Sequence, residues 1–236
     1  MSFTEAQSAM LPNQNQVQSQ RLAGQVVLIT GAGGSIGMET ASRLLQEGAS
    51  LSLVDISSEA LDVAKSKLQS LLSSSDSADA RILTIRADVT SEKEIEQFTK
   101  STVDKFGRFD CASLNAGISY SSTSIFYTTE ESYDRIMNVN VKSESKFALR
   151  GLALTAASEL GQYGIRVNTI HPSGVDTPMF RATWSEEKLE ELGRNMPLGR
   201  FAQVDDISGV VAFLASNDSK FMTGGFLKID GGCVSF

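Results

Sequence analysis

A short apolar run, Val26 to Ile29, is followed at once by a glycine-rich loop, Gly31 to Gly37, and then by a helical pattern of apolar residues. Four consecutive apolar residues bounded by turn signals are typical of a parallel strand that is buried on both faces. The helical pattern ends at Gly48, because a glycine directly after a helix adopts the left-handed conformation that stops it. This order of strand, loop and helix predicts an open α/β fold, in which ligands bind at the carboxyl ends of the strands.

The alternation of strands and helices continues to the end of the chain. Further strands are predicted at 51–54, 82–85, 109–114, 165–170 and 226–229. Helices are predicted at 58–72, after the capping pattern of Ser91 and Glu94, and at 205–215. Alternation at this spacing indicates a parallel sheet with helices on both faces. No repeat or linker interrupts residues 23–236, which are predicted to form one domain, whereas the glutamine-rich residues 1–22 are predicted to be a disordered tail.

Composition excludes several classes of function. The 236 residues include 28 acidic and 21 basic ones, a formal charge of −7, which argues against binding to nucleic acid or to an anionic membrane. Two cysteines and the single His171 cannot build a zinc site from Cys and His alone, so no metal site is predicted. No apolar run approaches the roughly 18 residues that cross a bilayer. The first 20 residues contain no Lys or Arg, so no secretory signal is expected and the expected location is cytoplasmic.

The loop after the first strand carries the features of a dinucleotide site. Glycines let the backbone turn tightly and let a pyrophosphate approach, and the following helix N-terminus presents unpaired N–H groups. Asp55 ends the second predicted strand, where a carboxylate accepts hydrogen bonds from the ribose of NAD and repels the extra phosphate of NADP. The pattern therefore predicts NAD, with NADP possible. A plain tight turn and a solvated carboxylate are the alternative interpretations.

At this point the sequence resembles the short-chain dehydrogenase/reductase family. The matching motifs run in family order and are Thr30-Gly-Ala-Gly-Gly-Ser-Ile-Gly37, Ala87-Asp-Val89, Asn115-Ala-Gly117, Asn138-Val-Asn140, Ser145-Lys146, Gly164-Ile-Arg-Val-Asn168 and Val175-Asp-Thr177. The resemblance implies a single-domain Rossmann-like, doubly wound parallel sheet. It also implies an NAD(P)-dependent oxidoreductase that interconverts a secondary alcohol and a ketone.

The resemblance implies a role for each matching position. The cofactor-binding residues would be Gly31, Ser35, Ile36 and Gly37 at the pyrophosphate, Asp55 at the ribose, Asp88 and Val89 at the adenine, Asn115 at the cofactor-side strand end, and Val175 and Thr177 at the carboxamide. Lys146 would bind the nicotinamide ribose and lower the pKa of a catalytic tyrosine, and Asn140 would hold a proton-relay water. Lys142 falls where some members place a basic residue that contacts the cofactor.

One part of the family pattern is missing. Members carry a tyrosine four residues before the lysine, but the residue four before Lys146 is Lys142, and none of the four tyrosines has a lysine four residues on. Lys146 lies only six positions after Asn140, in an interval where members have the rest of a helix, a strand with a catalytic serine, and the loop to the tyrosine. About forty residues are thus predicted to be absent, the length of one strand–helix unit with its loops.

The missing segment has structural consequences. The sheet is predicted to lack an inner strand, so the 165–170 strand must pair with the 109–114 strand or leave a gap with unpaired backbone groups. The flanking helices are predicted to fuse over 128–160. Because these helices form the main subunit interface in relatives, the homo-oligomer typical of the family is uncertain here.

Three explanations of the missing segment stay open. The chain is a mis-spliced or mispredicted product of an active enzyme's gene, a catalytically silent isoform or interaction protein that still binds nucleotide, or an enzyme that uses another base such as Tyr120. The loop over 178–200 is rich in apolar residues, which favours a hydrophobic substrate, although such a stripe is often only core. His171 is interpreted as a structural residue.

Overall fold

The computed structural model describes residues 20–72, 77–118, 129–131 and 146–233. Within these ranges the strands are β1 (Val26–Thr30), β2 (Ser50–Asp55), β3 (Ile82–Arg86), β4 (Cys111–Ser113), β5 (Thr169–Pro172) and β6 (Phe226–Ile229). The helices are α1 (Ser35–Gln46), α2 (Ser58–Gln69), α3 (Ala78–Arg81), α4 (Glu92–Phe106), α5 (Lys146–Leu160), α6 (Pro178–Arg181), α7 (Glu186–Arg194) and α8 (Val204–Ala215). The α/β class expected from the sequence is confirmed.

The first four strands form one parallel sheet in the order β3-β2-β1-β4. Successive side chains of a strand point to opposite faces. Val27 and Ile29 of β1 therefore join the core beneath α1, α2 and α8, whereas Leu28 packs on the other face against Phe98 of α4. Helices thus lie on both faces, and all four strands direct their carboxyl ends to one edge of the sheet.

The remaining strands, β5 and β6, form a separate parallel pair. Of the helices between them, α8 packs on α1 and contributes Ala212 and Ala215 to the main core. In the described ranges β4 pairs with β1 and β5 with β6, and no ladder joins β4 to β5. The absence of an inner strand from the whole chain stays a prediction, because residues 119–128 and 132–145 lie outside the described ranges.

The strand expected at 165–170 begins only at Thr169, which corrects its start by four residues. Residues 166–168, which precede β5, are held by side-chain hydrogen bonds rather than by pairing with a neighbouring strand. The Arg166 guanidinium donates to the carbonyls of Leu214 and Met222, and the Asn168 amide donates to Met222 and accepts from the Gly225 N–H. These bonds tie residues 166–168 to the chain that leads into β6.

The strand expected at 109–114 is also shorter, with only Cys111–Ser113 in the ladder. Leu114 is 69% exposed, and Ala112 in the middle of β4 is exposed as well. Burial in a sheet depends on what covers each face of a strand, and these two side chains are left uncovered. In α4, Phe98 points into the core, whereas Ile95 is 40% exposed.

The folded part begins before residue 23. Leu22 is fully buried, and the Arg21 guanidinium makes two 2.8 Å hydrogen bonds to the Glu47 carboxylate. Of the expected tail, residues 1–19 lie outside the described ranges, as do most of the residues of the expected fused helix before Lys146. No helix in the described ranges combines the length and the hydropathy needed to cross a membrane.

Candidate functional site

The glycine loop lies at the carboxyl end of β1 and is closely packed. Gly31 has a left-handed backbone (φ +62°), and a Cβ atom built there would lie 2.8 Å from the Cα of Ala116. At Gly37 a Cβ atom would overlap the Gly31 carbonyl oxygen. Both positions require glycine because neighbouring backbone atoms occupy the space that a side chain would need. This close packing lets α1 start directly above the end of β1.

The N-terminus of α1 is open to an anion. Gly34 occupies the capping position without a side-chain cap, the first turn has no acidic residue, and Gly34 and Ser35 are exposed. The first N–H groups of a helix have no partner within the helix, and the helix dipole makes this end positive. Ser35, Ile36 and Gly37 therefore lie where the sequence predicted a pyrophosphate, and the backbone there fits one.

Asp55 ends β2 and faces the glycine loop. One carboxylate oxygen accepts the Gly33 N–H at 2.9 Å, and the other accepts the Ser57 N–H at 3.0 Å. These bonds fix the carboxylate and leave lone pairs on each oxygen for a hydroxyl donor. The geometry fits a ribose diol beside the loop.

Asp88 and Val89 follow β3 next to Asp55, since the Ala87 N–H donates to the Asp55 carbonyl at 2.9 Å. One oxygen of Asp88 accepts the backbone N–H and the hydroxyl of Thr90, each at 2.8 Å, and these bonds lower the pKa of the carboxyl below its usual range. The carboxylate is therefore held charged at the start of α4. Val89 is half-buried beside it.

Asn115 joins the end of β4 to the glycine loop. Its side-chain amide donates to the carbonyls of Thr30 and Gly31, each at 3.3 Å. The Thr30 hydroxyl accepts the backbone N–H groups of Asn115 and Ala116. Sequence reasoning missed this role of Thr30, although a hydroxyl residue between a buried strand and the loop was a usable signal.

Val175 and Thr177 lie beyond the carboxyl end of β5. Val175 is buried and forms a bridge with Ala202, which donates to the Gly174 carbonyl and accepts from the Asp176 N–H. In parallel pairing the backbone N–H and C=O of Val175 itself then point away from Ala202. These two groups match the donor and acceptor of a carboxamide. Thr177 caps α6, since its hydroxyl accepts the Phe180 N–H at 3.2 Å.

The structure brings only some of the predicted site residues together. Hydrogen bonds join Asn115 to Thr30 and Gly31. A second set joins Asp55 to Gly33 of the loop and to Ala87 after β3. Val175 and Thr177 belong to the β5–β6 unit, and no described hydrogen bond joins them to the glycine loop. The predicted residues Asn140 and Lys142 lie outside the described ranges, as do the Lys146 side chain and Tyr120.

The remaining predictions concern packing around the second sheet. His171 is buried, its Nε2 lies 2.9 Å from the Thr169 hydroxyl, and its ring lies 4.1 Å from that of Phe226, as expected of a structural residue. The 178–200 segment, expected to be a loop, contains the helices α6 and α7. Leu189 and Met196 in it are buried, whereas Met179 and Trp184 are half exposed. Only part of its apolar surface is therefore available to a substrate.

Two family models match the chain. The model described as short chain dehydrogenase matches residues 25–144, and that described as Enoyl-(Acyl carrier protein) reductase matches residues 143–234. The two matches meet at residues 143–144, between Asn140 and Lys146, where the sequence predicts the missing segment.

Curated relatives match over nearly their whole length. Levodione reductase of Leifsonia aquatica is 31% identical over 258 residues that cover 90% of this chain and 95% of the relative. Meso-2,3-butanediol dehydrogenase of Serratia marcescens is 28% identical and covers 91% and 96%. Because 90% of 236 residues is about 212, about 46 of the 258 positions aligned with levodione reductase face no residue of this chain.

Solved structures of similar proteins also match the chain over nearly their whole length. The crystal structure of levodione reductase superposes with a TM-score of 0.80 at 30% identity over 89% of this chain and 98% of that one. Carveol dehydrogenase from Mycobacterium avium, solved in complex with NAD, has a TM-score of 0.78 at 25% identity over 90% and 98%.

Proposed function

This chain belongs to the short-chain dehydrogenase/reductase family, and on that premise we propose that it binds a nicotinamide dinucleotide, NAD in preference to NADP, at the carboxyl ends of β1 to β4. The observation that carries the proposal is the position of Asp55. Its carboxylate is fixed by the N–H groups of Gly33 and Ser57 directly beside the open N-terminus of α1. A ribose acceptor and a pyrophosphate site therefore lie next to each other.

Each half of the dinucleotide has residues that fit it. The N–H groups of Ser35, Ile36 and Gly37 would hold the pyrophosphate, and Asp55 would accept the ribose hydroxyls. Asp88 and Val89 would contact the adenine, and Asn115 would keep the end of β4 at the correct distance from Gly31. The backbone of Val175 and the hydroxyl of Thr177 would take the carboxamide.

The family reaction interconverts a secondary alcohol and a ketone, and the dinucleotide, when bound, supplies hydride transfer. The protein must also move a proton at the substrate oxygen, and a free phenol, with a pKa of about 10, is too weak a base at neutral pH without a neighbouring cation. Of the residues that do this in the family, this sequence retains Lys146 and Asn140 and lacks the tyrosine and the serine. We therefore propose that the chain binds cofactor but turns over substrate poorly.

Several observations support a missing segment. The two family matches meet at residues 143–144, and the alignment with levodione reductase leaves about 46 positions without a counterpart. In the described ranges β4 has no ladder with β5, and Ala112 and Leu114 are exposed. An inner strand between β4 and β5 would cover this edge.

The substrate is proposed to be a hydrophobic small molecule. The exposed apolar side chains of Met179 and Trp184 flank α6, directly after Thr177. Levodione reductase and butanediol dehydrogenase are named for ketone and alcohol substrates, which agrees with the proposed reaction class. The alternative is a catalytically silent isoform or interaction protein, which the loss of the tyrosine favours.

Calorimetric titration of the purified chain with NAD and NADP tests the binding proposal. We expect saturable binding of both, with NAD the tighter ligand. A chain that binds neither, or that binds NADP more tightly, contradicts the proposal. Sequencing the transcript across the codons for residues 142–144 distinguishes a splicing or gene-model error, in which the longer message prevails, from a genuine isoform.

A further inference from the structure

The short helix α6 follows directly after the residues proposed to meet the carboxamide of the cofactor. It contains only four residues, Pro178–Arg181, and a single helical turn is marginally stable on its own. The Thr177 hydroxyl caps it by accepting the Phe180 N–H, and a hydroxyl that accepts one hydrogen bond still has its own hydrogen to donate. The position of that hydroxyl therefore depends on the contacts that hold α6 in place.

Phe180 provides the first of these contacts. Its ring lies edge-on to that of Phe201, with 4.9 Å between the ring centroids. A Cβ atom built on Gly174 would lie 2.7 Å from the Cζ of Phe180 and 3.0 Å from the Cδ1 of Phe201, so the lack of a side chain at Gly174 leaves room for both rings. Aromatic pairs of this geometry contribute more than the area they bury. The contact fixes α6 against the backbone just before Val175.

Arg181 provides a second contact. Its Nε and one terminal nitrogen donate to the two carboxylate oxygens of Asp176 at 2.6 and 2.9 Å, and two parallel bonds of this kind are directional as well as charge-assisted. Asp176 is itself fixed, because its backbone N–H donates to the Ala202 carbonyl at 2.8 Å. The bonds from Arg181 lower the pKa of the Asp176 carboxyl below its usual range, so both partners are charged at neutral pH. The Asp176–Arg181 ion pair therefore ties α6 to the segment that follows β5.

We propose that Arg181 is a positioning residue for the nicotinamide end of the cofactor, because its ion pair with Asp176 keeps α6 and the Thr177 hydroxyl at the carboxamide position. The inference rests on the dinucleotide site proposed above. Asp176 precedes Thr177 and Arg181 follows it, so the ion pair closes a short loop around the residue that would donate to the carboxamide. Arg181 acts through Asp176 and α6 and does not itself contact the cofactor.

The effect is expected to be small and confined to one end of the ligand. The Arg181 side chain is 51% exposed and that of Asp176 is 23% exposed. Exposed ion pairs contribute little, but the bidentate geometry places this one at the upper end of their range, so removal of the guanidinium should weaken NAD binding roughly 3- to 5-fold. ADP-ribose has the adenosine, the pyrophosphate and the ribose but no nicotinamide, so its affinity should change by less than about 1.5-fold.

The test is calorimetric titration of the full chain and its variants with NAD and with ADP-ribose. Arg181→Met keeps the apolar stem and removes the charge, Arg181→Lys keeps the charge without the bidentate geometry, and Asp176→Ala removes the acceptor. Lys188→Met is the control, because it removes an exposed positive charge of α7 that pairs with Glu191. ADP-ribose is the more negative ligand, so the loss of a positive charge by itself would weaken ADP-ribose binding at least as much as NAD binding.

We expect Arg181→Met and Asp176→Ala each to weaken NAD binding selectively, and the double variant to weaken it no more than either single change does. Arg181→Lys should lose less, and Lys188→Met should match the original chain. An equal loss for NAD and ADP-ribose, no loss for NAD, or additive losses in the double variant overturns the role of Arg181 and leaves the dinucleotide site intact. If the original chain binds neither ligand, the proposed function fails and the role of Arg181 fails with it.

Discussion

Gly37→Ala tests whether the glycine loop and α1 are as closely packed as the structure indicates. The added methyl group would overlap the Gly31 carbonyl oxygen and lie 2.9 Å from the Cα of Ala32, both of them backbone atoms that cannot rotate away. Overpacking of this kind costs about 1–3 kcal/mol. Alanine recovers up to about 1 kcal/mol of helix propensity. We therefore expect a net loss of about 1–2 kcal/mol in the free energy of unfolding.

Gly34→Ala is the matched control in the same loop. Its backbone lies at φ −77°, and an added methyl group would meet only the Gly31 carbonyl oxygen, at an ordinary 3.4 Å. Urea unfolding followed by circular dichroism should therefore show the larger loss of stability for Gly37→Ala. Gly34→Ala should cost only about 0.5–1 kcal/mol, because alanine is a poorer N-cap than glycine. Titration should also show weaker NAD binding by Gly37→Ala, because the first turn of α1 must move. Equal unfolding midpoints for the two variants would refute the packing argument.

Three further substitutions test other parts of the account. Asp55→Asn removes the charge beside the loop, so titration should show weaker NAD binding and an NAD-to-NADP affinity ratio that falls about tenfold; an unchanged ratio would remove Asp55 from cofactor choice. Burial raises the pKa of Glu47, but hydrogen bonds from Arg21 and Arg43 outweigh this effect, and the net pKa is lowered. The ionised carboxylate therefore stabilises the fold at pH values above the pKa that Glu47 has in the unfolded chain. This stabilisation is lost as the pH falls through the lower pKa of the folded state. Glu47→Gln should lower the free energy of unfolding in urea at pH 7 by about 2–3 kcal/mol, less than the usual cost of breaking a fully buried ion pair because both guanidiniums are partly exposed. The stability of the variant should also fall less steeply with pH on the acid side. A pH profile of stability identical to that of the original chain would contradict this. The Ser173 hydroxyl is buried without a hydrogen-bond partner in the described part of the chain, so Ser173→Ala should raise the free energy of unfolding by about 1 kcal/mol, whereas a decrease would show that the hydroxyl has a partner.

The sequence was most informative where the signals are local. β1 was expected at 26–29 and spans Val26–Thr30, and α1 ends at Gln46, just before the expected stop at Gly48. A continuous apolar run and nearby glycines act within one turn of chain, so both signals are local. β6 was predicted with the observed ends. Both ends of α4 are also set by local signals. The Ser91 side chain caps its N-terminus by accepting the Glu94 N–H at 3.4 Å, and the left-handed Gly107 ends the helix.

The errors arose where a structure depends on distant neighbours. The shift of β5 follows from the bonds that Arg166 and Asn168 make to residues about fifty positions away. Composition alone could not show that Leu22 packs into the main core, since its burial depends on α1 and α8.

In the candidate site, too, the residues in local motifs could be predicted, whereas the contacts between distant residues could not. The glycines, Asp55 and Asn115 could be identified from motif and spacing. The bond from Gly33 to Asp55 and the two bonds that Thr30 accepts depend on the register between strands, which no short pattern contains.

The most direct test compares cofactor binding with turnover in one preparation. Positioned proton transfer contributes about 10²- to 10⁴-fold to rate. We predict that the chain binds NAD saturably. We also predict that it oxidises a panel of hydrophobic secondary alcohols at least about 100-fold more slowly than a version in which a segment with the serine and tyrosine is restored between Asn140 and Lys146. Equal rates in the two proteins, with NAD bound equally well, would contradict the claim that an intact dinucleotide site remains here without its proton-transfer residues.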